Sequence, residues 1–208
     1  MKKLGWVALL TTGTLFTAGC GPSALEEARA RPVIERYAAL TYENYSDVVT
    51  QAKALRDAVR AFTDAPSQAR LEAARKAWLA SRDSYGQSEA FRFFGGPIDD
   101  EDTGPEGQIN AWPLDEAYID GVKDNPSAGL INTSESLTTD LLVSANERDS
   151  ETNIATGYHA IEFLLWGQDL SETGPGNRPY TDFLDNGTAP NGARRRQYLL
   201  LEIGRAHV

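Results

Sequence analysis

Apolar side chains recur three and four residues apart through Val33, Ile34, Tyr37, Leu40, Tyr45, Val48, Ala52, Leu55, Val59 and Phe62, a spacing that brings them to one face only if the chain is helical. The run predicts one long amphipathic helix. Asp64-Ala65-Pro66-Ser67 breaks it, and Ser67 is placed to cap a second helix through Leu71, Ala74, Trp78 and Tyr85 to about Phe91. So short a break forces antiparallel packing, which makes the pair a helical hairpin and the expected fold an all-α helical bundle. From Gly95 to Asn132 the chain is rich in Gly, Pro, Asp and Asn, but Trp112, Leu114, Tyr118 and Ile119 give it hydrophobic anchors. An ordered loop packed over the bundle is expected there, with a helical turn near Leu114 to Asp120. Helices are expected again from Ser134 to about Ala145 and from about Asn153 to Leu165. A loop at Gly174 to Pro179 and a turn at Tyr180 to Leu184 then lead to a basic helix from near Ala193.

The two ends carry different signals. Met1-Lys2-Lys3, an apolar stretch from Leu4 to Ala18 and then Gly19-Cys20 make a basic region, a hydrophobic region and a small-residue cleavage zone. The apolar stretch is too short to span a bilayer. Residues 1–19 are therefore expected to be a signal peptide, with lipid attached at Cys20, the single cysteine, and residues 20–31 as the anchored linker. Thr17 stands where a lipidation motif usually has an aliphatic residue, so an ordinary secretory signal is the alternative. Gly21 in place of Asp directs a Gram-negative lipoprotein to the outer membrane, on the periplasmic or cell-surface side. Residues 32–201 form the expected helical domain. Glu202 to Val208 reads as the translation of a sequencing adapter, so the domain is expected to be truncated there. The formal charge of −10, or −12 once Lys2 and Lys3 are removed, argues against a nucleic-acid partner, because phosphate binding needs clustered positive charge.

The chemistry centres on His159 and Glu162, in Gly157-Tyr158-His159-Ala160-Ile161-Glu162. Residues three apart on a helix share a face, so an imidazole and a carboxylate at this spacing can converge on one ion. A polar pair in so apolar a segment needs partners or a metal to offset its desolvation. The bland alternative is a hydrogen-bonded histidine beside a solvated glutamate.

The segment Gly157 to Gly167 resembles the Gly-x-His-x-x-Glu signature of the imelysin-like family, bacterial envelope proteins linked to iron acquisition. Three more blocks are similar to that family: Tyr85 to Arg92, Gly96 to Asp99, and Ile109 to Asp120. The resemblance runs from about Tyr37 to Leu201. It implies a second helical domain beyond this one, a metal ion as ligand with iron favoured, and iron-uptake components as partners. It also favours Glu89, Asp115, His159 and Glu162 as the metal site, with Asp99 or Asp120 as alternatives to Asp115. For Glu89 a solvated helix-end acid is the competing reading, and for Asp115 a cap on the turn at Glu116 to Tyr118.

One imidazole with carboxylates is an oxygen-rich set that suits iron or manganese, with zinc still possible. Imelysin has been grouped with peptidases, which makes a metallopeptidase with Glu162 as its catalytic group the second reading. Against it, Phe163 stands where the inverted His-x-x-Glu-His motif needs its second histidine. The third reading is a structural or partner-binding lipoprotein without metal. Trp78, Trp112 and Trp166 are expected as core and loop anchors, Arg92 as the partner of a nearby acid or the bound of its helix, and Arg194 to Arg196 as a solvated helix face.

Overall fold

The computed structural model describes residues 24–205. Seven α-helices account for most of them: α1 (Ala24–Asp64), α2 (Gln68–Gln87), α3 (Glu106–Ile109), α4 (Glu116–Ile119), α5 (Thr139–Ala145), α6 (Gly157–Trp166) and α7 (Gly192–Arg205). Short 3-10 turns lie at Ser88–Phe91, Leu130–Asn132 and Tyr180–Phe183. Among the described residues there is no strand, only an isolated antiparallel bridge between Val122 and Asn125. The expected all-α architecture is what the chain adopts. No described helix is long and apolar enough to cross a membrane. The expected signal peptide and the expected lipidation site at Cys20 lie outside the described residues.

Two units are distinguishable, 1–38 and 39–208. In the first, α1 is already helical at Ala24, inside the segment expected as a linker, and it carries Pro32. Its residues from Glu26 to Ala38 are all exposed, Val33, Ile34 and Tyr37 included, and an ion pair between Arg31 and Glu27 (2.7 Å) spans one turn. The apolar stripe of α1 is thus buried only where it belongs to the second unit, at Leu55, Val59 and Phe62.

The second unit follows from its caps and stripes. Ser67 accepts from the Arg70 amide (3.4 Å) and starts α2, whose buried positions Leu71, Ala74, Trp78, Ser81 and Tyr85 alternate by three and four. The break at 65–67 reverses the chain, and the Asn44 side-chain amide reaches back to Ser84 O (3.2 Å). Phe62 meets Phe183 edge-on at 4.8 Å, which ties the end of α1 to the last third of the chain. The expected second helix ends early, because Ser88 to Phe91 tightens into a 3-10 turn.

Two further boundaries differ from expectation for identifiable reasons. Thr138 caps α5 by accepting from the Leu141 amide (3.1 Å), so that helix starts at Thr139 and not near Ser134. Asn146 Oδ1 accepts from the amides of Ala155 (2.9 Å) and Thr156 (3.1 Å), which holds 153–156 out of α6. The helix then begins at Gly157, where φ is +87° and an added Cβ would lie 2.3 Å from Ile109 O. Only glycine lets the start of α6 pass so close to the end of α3.

The loop from Gly95 to Asn132 is ordered as expected. Ile119, Leu130 and Ile131 are buried, Tyr118 donates to Ala145 O (2.8 Å) and Asn146 donates to Gly107 O (2.7 Å). Trp112 departs from its expected role as an anchor, since it is 69% exposed. α7 runs through the positions expected to be foreign: Glu202 and Ile203 are buried, and Glu202 Oε2 accepts from the Gly157 amide (2.8 Å).

Candidate metal site

α6 is held from both sides before it presents anything. On the α2 side, Trp78 donates through its indole to Tyr158 O (3.0 Å), Ser81 and Tyr158 share a hydroxyl contact (2.6 Å), and Trp78 meets Trp166 edge-on at 5.3 Å. At its carboxyl end Arg75 donates to Leu165 O (2.9 Å) and to Arg178 O (2.8 Å), which closes the last turn against the next loop. Ile161, Leu164 and Leu165 are buried in the core, so the opposite face, which carries His159, Glu162 and Phe163, points the other way.

That face opens on a groove of about 950 Å³. His159 Nδ1 lies 3.2 Å from Glu162 Oε2, with side-chain exposures of 17% and 44%. Two donors each about 2.1 Å from one ion and at right angles to it lie about 3 Å apart, so the pair has the separation of adjacent ligands. Without an ion, the same distance is a hydrogen bond whose direction depends on the imidazole tautomer. The Trp112 ring lies over the imidazole at 4.8 Å, tilted by 50°. The tryptophan is thus a cover on the histidine and not part of the core.

Asp115, Glu116 and Asp169 join His159 and Glu162 in lining the groove, and among the described residues no Lys or Arg does. Asp115 is exposed and its Oδ1 accepts from the Ala117 amide (3.0 Å), so it caps α4 while facing the groove. Glu116, an acid with no motif to mark it in the sequence, is half-buried in the groove wall. Burial raises its pKa, against hydrogen bonds from the Gln168 side chain and the Asp169 backbone.

The four expected ligands do not converge. Glu89 sits on the 3-10 turn after α2, half exposed, paired with Arg92 Nη2 (3.2 Å), and is absent from the groove wall. Arg92 also binds Glu106 (2.5 Å), which accepts from Tyr85 OH as well (2.6 Å), so the local cation is shared by two acids. Asp99 accepts from the Phe93 amide, away from the groove. Among the described residues no three His, Cys, Asp or Glu side chains come close enough to share one ion. The structure brings together His159 and Glu162, with Asp115 in the same groove, and leaves Glu89 out.

Asp120, the other alternative, has a different task. It is 1% exposed and accepts from Arg178 Nη1 (2.7 Å), Arg195 Nε (2.6 Å) and Arg195 Nη2 (3.1 Å). Burial pushes its carboxyl up, but the Arg195 hydrogen bond and the charges of both arginines outweigh that and hold it below the usual range. The arginine triplet is therefore no solvated face. Arg194 donates to Ile131 O (2.7 Å), Arg195 is buried on Asp120, and Arg196 pairs with Asp185 (2.8 Å). Arg195 stands three and four residues before the buried Tyr198 and Leu199, on the inward stripe of α7, and that spacing was the available signal. Consecutive arginines concealed it.

A family model described as imelysin, peptidase M75, matches residues 41–205. Iron-regulated protein A of Synechococcus elongatus is 32% identical over 123 residues, which is 59% of this chain and 28% of that protein. The chain thus spans little more than a quarter of the length of this relative.

Proposed function

Because the chain belongs to the imelysin family, we propose that it is an exported protein, lipidated at Cys20, that carries a metal ion on His159 and Glu162 and passes it to uptake components of the cell envelope. The ion is cargo, and iron is the first choice. The observation that carries the reading is the 3.2 Å His159–Glu162 pair opening on a groove lined by acids and, among the described residues, by no Lys or Arg. An imidazole nitrogen with carboxylate oxygens and no thiolate suits iron or manganese over a structural zinc. The iron-regulated relative supports the choice of metal, through its name.

Equilibrium titration with Mn2+, and with Fe2+ under anaerobic conditions, tests it. His159→Ala is expected to weaken binding about 100-fold, and Glu162→Gln at least about tenfold without loss of fold. Both ligands bind metal in their deprotonated forms, so affinity falls as the solution is acidified. Binding unchanged in both variants would contradict the site. The family's description as a peptidase supplies the rival reading, in which Glu162 activates water. Chelator-sensitive peptide turnover, lost in Glu162→Gln, would establish that reading in its place.

A further inference from the structure

Beside the acidic groove lies a second lobe of about 640 Å³, and the two share Val122, Trp166, Gly167, Gln168, Pro175 and Gly176 as common walls. Its polarity is reversed. Lys123, Arg178 and Arg195 line it against Asp120 and Asp182, three cations to two acids. We propose that this lobe takes the free carboxylates of a small polycarboxylate, so that the ion reaches His159 and Glu162 as a chelate and not as a bare cation. This rests on the metal reading above and names the form of its cargo.

Two independent observations carry it. An octahedral ion has about six positions, and the described residues offer a close pair of ligands with no third. Positions these two residues leave open are open to water or to oxygen donors that arrive with the ion, and a chelate supplies the latter. A bare cation would find nothing attractive in a basic lobe, whereas a chelate with uncoordinated carboxylates presents negative charge on the side away from its metal.

The second observation is Arg178. It is 9% exposed, lines the lobe, and spends Nη1 on Asp120 (2.7 Å), yet among the described residues its Nε meets no acceptor. Arg195 is by contrast fully engaged, by Asp120 and by the carbonyls of Asp182 (2.7 Å) and Pro190 (2.8 Å). Spare donor capacity is thus concentrated at Arg178, with the exposed Lys123 on the rim as a second, mobile charge. A guanidinium fork beside an ammonium is a common way to recognise carboxylates.

Calorimetric titration of the full chain at low ionic strength, with MnCl2, citrate alone and ferric citrate as separate probes, tests the proposal. Wild-type protein is expected to bind ferric citrate at least about tenfold more tightly than citrate alone. Lys123→Glu, an exposed change that spares the fold, is expected to weaken ferric citrate about tenfold while leaving Mn2+ within about twofold. Added salt should shrink the Lys123 effect. Ferric citrate binding unchanged in Lys123→Glu, or no better than that of citrate alone, with Mn2+ binding intact, would overturn the chelate and leave the metal reading standing. Mn2+ and ferric citrate both indifferent to His159→Ala, or neither bound by the wild type, would remove the metal reading and the chelate with it.

Discussion

Asp120 shows how much of this domain's stability can rest on one carboxylate. It is the common acceptor of two buried arginines from different segments, so removing its charge leaves two cations without their counter-ion. Asp120→Asn is expected to lower unfolding free energy by about 3 to 5 kcal/mol in denaturant titrations at neutral pH. The folded-state pKa is depressed from the ordinary 3.8, so the contribution is complete above that value and is lost as pH falls through the lower folded one. The gap between wild type and variant should therefore close in acid; a constant gap would mean that shape, not charge, is what Asp120 supplies. Gly157 is the second decisive residue. Gly157→Ala places a Cβ against Ile109 O at positive φ, and is expected to cost about 2 to 3 kcal/mol, read as a lowered Tm. The two residues were unequally legible. Gly157 stood at the head of a recognisable signature, whereas Asp120 was only one of three candidate ligands, because a sequence shows charges but not which opposite charges fold onto them.

Elements were more legible than residues wherever periodicity and caps agreed. Ser67 after Asp64-Ala65-Pro66 marked the start of α2, and the stripe from Leu71 to Tyr85 marked its buried face. Boundaries set by tertiary contacts were not readable. The start of α6 depends on Asn146, ten residues away from Thr156, which takes two amide protons that would otherwise be unpaired in a buried place. Asn146→Ala is expected to strand both amides at about 1 to 3 kcal/mol each. Faster hydrogen exchange at Ala155 and Thr156, together with weaker metal binding through His159, would follow. Unchanged exchange there would show that α3 alone fixes the start of the helix. The same limit explains Glu89: its place near the end of α2 was foreseen, but the 3-10 turn and Arg92 decide where its carboxylate points.

At the scale of the whole molecule, the all-α class and the ordered loop followed from patterns in the chain, while the groove did not. It is assembled from α2, α6, the segment around Trp112 to Ala117 and the loop after Trp166; the His159–Glu162 pair of α6 was legible alone, but not the walls that the other segments fold around it. What the assembly adds is a division of charge, acids around His159 at one end and arginines at the other. The ion proposed for His159 and Glu162 and the anion proposed for the second lobe would each meet opposite charge. The most direct test is anomalous diffraction from crystals soaked in iron. The account predicts a peak about 2.0 to 2.3 Å from both His159 Nδ1 and Glu162 Oε2. A bound iron whose peak lies elsewhere, with His159 and Glu162 still hydrogen-bonded to each other, would contradict it.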